Sequence, residues 1–517
     1  MPTKTTNKQT THTETASLTR PPVVVVMGHI DHGKSTLLDY IRKTNVVDKE
    51  VGGITQRMSS YEVIHKTKEG GKEIDKTITF LDTPGHESFS AIRARGASAA
   101  DIAILVVSAE DGVKPQTLDA LRAIKTANLP YVIGMSKIDK ENSNIERTKQ
   151  SLAENEIYVE GYGGDISCIP FSGKTGAGVD DLLDIILLTA EVSNFTADPK
   201  RNAEAIIVES NRDKIRGVST TIIIKDGTLE SGSYLVSGTA MCPVRILENF
   251  LGKTIKSAAP SQPVRVVGWN IEPEVGGLCF MVKDKKEAEK FIEKALEGQT
   301  KQNGAKMAEL SVKSTDTSTV SILIKADTSG SVEAVKYEIN KLKIERVVLK
   351  VIASSIGDIM ENDVKIAAGK AGTLIAGFNV KADASSREYA GRHGVIIETF
   401  DIIYKLTEWL ETIAKERTPK IEVEEQKGTA KILKIFSVSK NKQVLGARVE
   451  EGVVSNGDEV KIMRRDAEVG RGHIRELQHM KDKVGSVEVG KEFGTMIESK
   501  LELAPGDKIE AFHIVTK

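Results

Sequence analysis

Between Val23 and about Ala190, short apolar runs alternate with stretches whose apolar residues recur at helical spacing. Val23–Met27, Ile78–Leu81, Ile102–Val107, Tyr131–Met135 and Ile166–Pro170 predict strands, and the segment carrying Leu37, Leu38 and Ile41 predicts a helix. This alternation predicts a mostly parallel sheet with helices on both faces. The pattern then changes. Residues 196–290 hold short strands broken by Gly and Pro, such as Val218–Lys225, Gly227–Gly232 and Pro263–Gly268, and predict a small β-barrel. A charged, Gln- and Lys-rich stretch, Lys285–Ala305, predicts a helical linker. Strand-like Val320–Ala326, Val347–Ile352, Thr373–Phe378 and Val395–Glu398 alternate with helical segments, predicting a second α/β domain. Ile402, Ile403, Leu406, Trp409, Leu410 and Ile413 recur at helical spacing, which suits the start of a connecting helix and a plain core helix equally. From Lys420 onward strands and turns return (Ala430–Ser437, Val444–Glu450, Asp458–Arg464, Lys508–Ile514) and predict a second barrel.

The fold class expected is thus multidomain α/β: a disordered tail over 1–20, a nucleotide-binding domain over 21–195, a β-barrel over 196–290, a linker over 291–310, an α/β domain over 311–400, a connecting helix over 401–419 and a C-terminal β-barrel over 420–517. In open α/β sheets the ligand sits beyond the carboxyl ends of the strands. Candidate chemistry lies just past those ends. After Val23–Met27 comes Gly28-His29-Ile30-Asp31-His32-Gly33-Lys34-Ser35-Thr36, a Gly-x4-Gly-Lys-Ser spacing that turns successive backbone N–H groups toward one phosphate. Lys34 would reach the β- and γ-phosphates, Ser35 would bind Mg²⁺, and the following helix N-terminus would attract the anion.

After Ile78–Leu81 comes Asp82-Thr83-Pro84-Gly85-His86, where Asp82 is placed to hold Mg²⁺ through water and the Gly85 N–H to meet the γ-phosphate. Thr55, in Val51-Gly52-Gly53-Ile54-Thr55-Gln56, would complete the Mg²⁺ shell only while a γ-phosphate is present. Ser136-Lys137-Ile138-Asp139 follows Tyr131–Met135. A carboxylate at Asp139 accepts from guanine N1–H and the 2-amino group together, and a site built on such bonds rejects adenine by about 10⁴–10⁵. Lys137 would lie along the base, and Ser172-Gly173-Lys174 would offer a backbone N–H to guanine O6. The expected ligands are GTP or GDP with Mg²⁺. Asp327-Thr328-Ser329-Gly330-Ser331 lacks a following Gly-Lys-Ser and predicts a helix N-cap.

Composition narrows the setting. With 517 residues, the chain exceeds the ~250–300 residues at which single cores stop growing. Hydrophobic residues at 39% and charged residues at 28% are globular proportions, and no run approaches the ~18 apolar residues of a membrane span. Residues 1–20 lack an apolar signal-peptide core, and Cys168, Cys242 and Cys279 form no Cys-x-x-Cys pair. A reducing, cytoplasmic location is expected. A net charge of −1 gives no bulk attraction for nucleic acid, so RNA contacts must come from local patches. One such patch, Lys461–Lys483, holds seven basic and four acidic residues.

Gly28–Lys34, Gly53–Thr55 and Asp82–His86 resemble the motif set of the translational GTPases, Gly-His-x-Asp-His-Gly-Lys, Gly-Ile-Thr and Asp-Thr-Pro-Gly-His. Within that family the likeness runs from about Pro22 to the last residue and is to bacterial-type translation initiation factor two. It is carried also by Leu37–Arg42, Gly52–Gln56, Ser88–Gly96, Asp111–Thr117, Gly161–Asp165, Ser331–Ala334 and Phe378–Val380. The resemblance implies a GTPase in which His86 positions the attacking water once the ribosome aligns it, with an apolar gate at Ile30 and Ile54. It implies a monomer whose partners are both ribosomal subunits and initiator tRNA, with neither DNA nor membrane. The final domain, through Arg471, Arg475, His479, Phe493 and Gly494, would hold the acylated tRNA end.

The α/β domain near 310–400 separates this reading from a tRNA-delivering elongation factor, and the complete triphosphate-handling residues separate it from a non-hydrolysing ribosome-binding protein. Three positions depart from the family pattern, one of them the basic residue expected near His479, which is altered here. Ser136 stands where Asn is usual, which predicts nucleotide affinity weaker by about 1 kcal/mol, one ordinary hydrogen bond. Phe493 stands where Cys is typical, in the pocket that the resemblance assigns to formyl-methionine, so that specificity is left open. The family's long N-terminal extension is expected to be missing.

Overall fold

The computed structural model describes residues 18–43, 55–70, 72–302, 318–418, 422–439, 441–465, 467–480 and 482–516. They form two compact units, Met1–Arg417 and Thr418–Lys517.

The first unit opens with a six-stranded sheet in the order Ser59–Glu69, Lys72–Asp82, Val23–Gly28, Ile102–Ser108, Tyr131–Ser136, Cys168–Pro170. From Lys72–Asp82 onward every neighbouring pair is parallel, as the alternation of patterns predicts. Val23–Met27 is fully buried because helices cover both faces: Leu37, Leu38 and Leu182 pack on one side, Phe89, Ala120 and Ile124 on the other. Ser59–Glu69 is an antiparallel edge strand that hydrophobicity misses. It carries His65, Lys66 and Lys68, and Ile64 is exposed, because the far half of this hairpin leaves the core. For the same reason its partner begins at Lys72, well before the apolar Ile78.

The expected tail over 1–20 ends too late. Leu18–Thr19 pairs with Thr196–Ala197, and Arg20 forms a buried ion pair with Asp101 at 2.5 Å. Residues 1–17 lie outside the described residues.

A seven-stranded antiparallel sheet follows, from Glu204–Asp213 to Leu278–Val282, around a core that includes Ile207, Ile222, Leu235, Leu247, Val266 and Cys279. Just beyond strand Pro263–Trp269, the Asn270 N–H donates to the carbonyl of Met241, in strand Ala240–Pro243 at the end of the sheet, at 3.0 Å. This contact draws the sheet round into a barrel. Helix Lys285–Gln302 begins where the charged stretch predicts a helix, ahead of the 291–310 linker boundary, and lays Ala288 and Phe291 against Val236, Val282 and Phe280.

The second α/β domain has four parallel strands in the order Val347–Ile356, Ser318–Ala326, Leu374–Phe378, Ile396–Phe400. Thr328 caps helix Ser329–Lys341 by accepting from the Ser331 N–H. The helix expected near 401–419, which its spacing left open between connector and core, packs one face into the core: Ile403–Glu416 buries Ile403, Leu406, Leu410 and Ala414 in the same cluster as Ile322, Ile324 and Leu374.

In the second unit, six antiparallel strands close on themselves, Glu422–Ser439 pairing with both Lys508–Thr516 and Lys442–Ser455. Ile432, Leu445, Val460, Ile474, Phe493 and Ile509 fill the interior.

Candidate functional site

The phosphate loop begins where strand Val23–Gly28 leaves the sheet. Gly28 has φ +149°, and a Cβ there would lie 2.4 Å from the Val106 carbonyl oxygen. Only glycine fits. Gly33, at φ +85°, is the N-cap of helix Lys34–Arg42, so the unbonded N–H groups of its first turn face the loop. The Lys34 ammonium donates to the His29 carbonyl at 2.5 Å. Burial holds its pKa below the ordinary lysine value, and Asp82 opposes the shift. His32 is buried and accepts the Ser108 N–H on Nδ1, and burial depresses its pKa to about 3.

The Ser35 hydroxyl lies 2.9 Å from that of Thr55. Asp82 ends the neighbouring strand, buried, 4.0 Å from Arg42. Among the described residues no group of three or more His, Cys, Asp or Glu side chains could hold a metal. Two hydroxyls and one carboxylate are instead a hard-oxygen set that fits Mg²⁺, an ion that keeps several of its waters.

His86 caps a short 3₁₀ turn, its Nδ1 accepting the Ser88 N–H at 3.2 Å with the Ser88 hydroxyl at 2.5 Å. The ring stands edge-on to Tyr404 at 4.7 Å, and Nδ1 lies 4.0 Å from Glu338 Oε1. Burial lowers the His86 pKa and raises that of Glu338. Buried Arg93 holds the segment from beneath, donating to the carbonyls of Pro84, Gly85 and His86. A Cβ on Gly85 would sit 2.8 Å from Lys34 Nζ and 3.1 Å from the Ile30 nitrogen, so this loop closes directly over the phosphate loop.

On the other side, Asp139 accepts from the Ser172 hydroxyl at 2.7 Å, which holds its carboxyl below the usual range. Lys137 is kept near Glu110 and Asp111. Ser136 is buried and its hydroxyl donates to the His32 carbonyl at 2.5 Å.

One cleft of about 290 Å³ is lined by Ile30, Asp31, Gly33, Lys34, Ser35, Thr36, Thr55, Gly85, His86, Ser136, Lys137, Asp139, Gly173 and Lys174. Gly28, His29, His32, Asp82, Thr83, Pro84 and Ser172 do not line it. Of these, His32, Thr83 and Ser172 are buried supports, Thr83 bonding the Val26 carbonyl. Ile54 lies outside the described residues. Phe89 and Ile403 also line the cleft. Sequence reasoning passed over them, as it passed over Arg93 and over Gln116, whose Oε1 accepts the Ile30 N–H at 3.0 Å. The signal available for Arg93 and Gln116 was their place inside Ser88–Gly96 and Asp111–Thr117.

In the second unit the expected tRNA residues lie on two paired strands, Ala467–His479 and Glu492–Ser499, without lining one cleft. Arg471 is paired with Glu424 and Glu468, Arg475 with Glu498. His479 contacts the Glu492 carbonyl through Nδ1. Phe493 is buried in the barrel core, and Gly494 lies in strand Glu492–Ser499 opposite Gln478. Of the five, Arg471 alone lines the shallow cleft beside Ser499 and Leu501.

Residues 20–191 match the family described as "Elongation factor Tu GTP binding domain", 202–280 "Elongation factor G domain 2" and 279–411 "Translation-initiation factor 2". The chain is 41% identical over 500 residues to "Translation initiation factor IF-2" of Nitratiruptor sp., covering 95% of this chain and 58% of that protein. It is 40% identical over 513 residues to the protein of the same name from Kosmotoga olearia, covering 98% and 72%. The GDP-bound aIF5B from Aeropyrum pernix aligns with 25% identity and a TM-score of 0.46 over 96% of this chain and 92% of that one. The chain thus spans between about half and three quarters of the length of these curated relatives. With three successive family matches along it and about 40% identity over nearly its whole length, the chain belongs to the translation initiation factor IF-2 family.

Proposed function

We propose that the chain is a GTP-dependent switch of translation initiation. With GTP bound it promotes initiator tRNA binding to the small ribosomal subunit and subunit joining, then hydrolyses GTP and dissociates. The observation that carries this reading is the convergence of Lys34, Ser35, Thr55, Gly85, His86 and Asp139 on one cleft. Lys34 and the N–H groups of the first helical turn bind the phosphates and stabilise charge in transfer to water. Asp139, fixed by Ser172, reads the base. His86 orients the attacking water. Bound Mg²⁺, held by Ser35, Thr55 and, through water, Asp82, would neutralise the β- and γ-phosphate oxygens. Loss of the γ-phosphate frees Thr55 to leave.

GTP hydrolysis by the purified protein, alone and with assembled ribosomes, tests this. Strong ribosomal stimulation is expected. Tight GTP binding without stimulation overturns the switch and favours a protein that holds nucleotide as a structural ligand. A tRNA-delivering elongation role is disfavoured by the four-stranded parallel α/β domain over 318–400, within the match to "Translation-initiation factor 2".

A further inference from the structure

Glu338 is buried on helix Ser329–Lys341 of the second α/β domain, and among the described residues its Oε1 accepts no hydrogen bond. A buried carboxylate oxygen without a donor is costly, and such atoms call for an explanation. The nearest ionisable nitrogen is His86 Nδ1, 4.0 Å away. Its charged neighbours Lys341, one turn along the same helix, and Glu87 are paired with each other, and Arg93, which acts on His86, is spent on the carbonyls of Pro84, Gly85 and His86. Tyr404, from helix Ile403–Glu416, stands against the edge of the His86 ring.

The ring has two arrangements available. In the one observed, Nδ1 accepts the Ser88 N–H, which leaves the proton of the neutral imidazole on Nε2. Nε2 then donates and cannot accept from water. A shift of about 1 Å would bring Nδ1 and Oε1 within hydrogen-bonding distance. With the proton on Nδ1 and donated to Glu338, Nε2 carries the lone pair. The ring stays neutral, one proton having moved between its nitrogens by way of solvent.

We infer that Glu338 is a positioning residue for His86: delivered from the second α/β domain, it accepts Nδ1–H and so presents Nε2 as the acceptor that orients the attacking water. The inference rests on the water-orienting role of His86 proposed above. A carboxylate behind a histidine fixes tautomer and orientation in the same way at other sites. The closeness of this domain to the nucleotide cleft thereby acquires a chemical consequence, since hydrolysis requires the two domains in register.

The test compares full-length Glu338→Gln, Glu338→Ala, His86→Ala and the His86→Ala/Glu338→Gln double variant in ribosome-stimulated GTP hydrolysis, with GTP affinity measured alongside. Arg95→Ala controls for loosened docking, because it removes the Arg95–Glu333 ion pair between the same two domains. Glu338→Gln is expected to lower the stimulated rate about 10–100-fold, the range for carboxylates that orient a metal-ligating histidine. GTP affinity and the Arg95→Ala rate should stay near wild type, and the double variant should be no slower than His86→Ala. A wild-type rate in Glu338→Gln, an equal loss in Arg95→Ala, or multiplicative losses in the double variant overturn the inference. A fully stimulated His86→Ala overturns instead the role of His86 on which it rests.

Discussion

The Ser136 hydroxyl donates to the carbonyl of His32 at 2.5 Å and joins the base-reading strand to the phosphate loop. The shorter side chain therefore keeps one half of the bridge that an asparagine amide would make, and gives up the half that reaches the guanine. Ser136→Ala, which removes the remaining half, should weaken GTP binding by about 1 kcal/mol, roughly fivefold. Ser136→Asn should strengthen it by a similar amount. Isothermal titration with GTP and GDP measures both, and an unchanged affinity in Ser136→Asn would show that no base contact had been lost.

His86→Ala should bind GTP as well as the wild-type protein does and lose ribosome-stimulated hydrolysis. Among the described residues the ring meets Ser88, Glu338, Phe89 and Tyr404, none of them a phosphate-binding group. Affinity and turnover should therefore separate cleanly. Nucleotide-filter binding beside single-turnover hydrolysis on ribosomes makes the comparison, and a variant still fully stimulated would remove His86 from the mechanism.

The Lys34 pKa stands below its ordinary value because the ammonium is buried. The charged form is the one that phosphate binds, and a bound triphosphate returns the pKa upward. As pH rises through the depressed value, the free protein loses this proton and GTP affinity should fall, with protons taken up on binding. Calorimetry above neutral pH in two buffers of different ionisation enthalpy reads that uptake directly. No buffer dependence would mean that Lys34 stays charged throughout.

Much of this was legible in the sequence because phosphate binding leaves local marks. Gly28, Gly33 and Lys34 act through backbone geometry and short spacing, so a linear reading finds them. Supports that act across the fold leave no such mark. Gln116 reaches Ile30 from a separate helix, and Arg93 is an arginine buried in helix Ser90–Ala99, where periodicity has nothing to say about carbonyls it will meet. Ser59–Glu69 escaped because an edge hairpin running out of the core has no apolar signature. Helix Ile403–Glu416 was legible as a helix but not in its role: its spacing was clear, but spacing cannot tell a core stripe from a connector.

His32 supplies a test in acid. Its folded pKa is near 3 against an ordinary 6.5, so between those values the unfolded chain binds the extra proton. Stability should be lost as pH falls below 6.5, by about 1.4 kcal/mol for each unit descended. Urea denaturation of the wild type and His32→Gln between neutral and mildly acidic pH measures the difference. Parallel acid dependence in both proteins would exclude His32 as its source.

Phe493 decides what the C-terminal barrel interior is for. It is buried among Ala447, Ile474, Leu477 and Ile497, so in this chain an aromatic ring fills the position where the family pattern has the smaller cysteine. If the ring is packing, Phe493→Ala should cost about 3–5 kcal/mol, the usual range for emptying an aromatic site in a core. Urea unfolding followed by a probe in the barrel gives that value. Binding of formylated and unformylated initiator tRNA to the full chain gives the complementary one, and a packed ring predicts no preference between them. A preference for the formylated form, together with a small stability loss in Phe493→Ala, would place the ring in a ligand pocket instead.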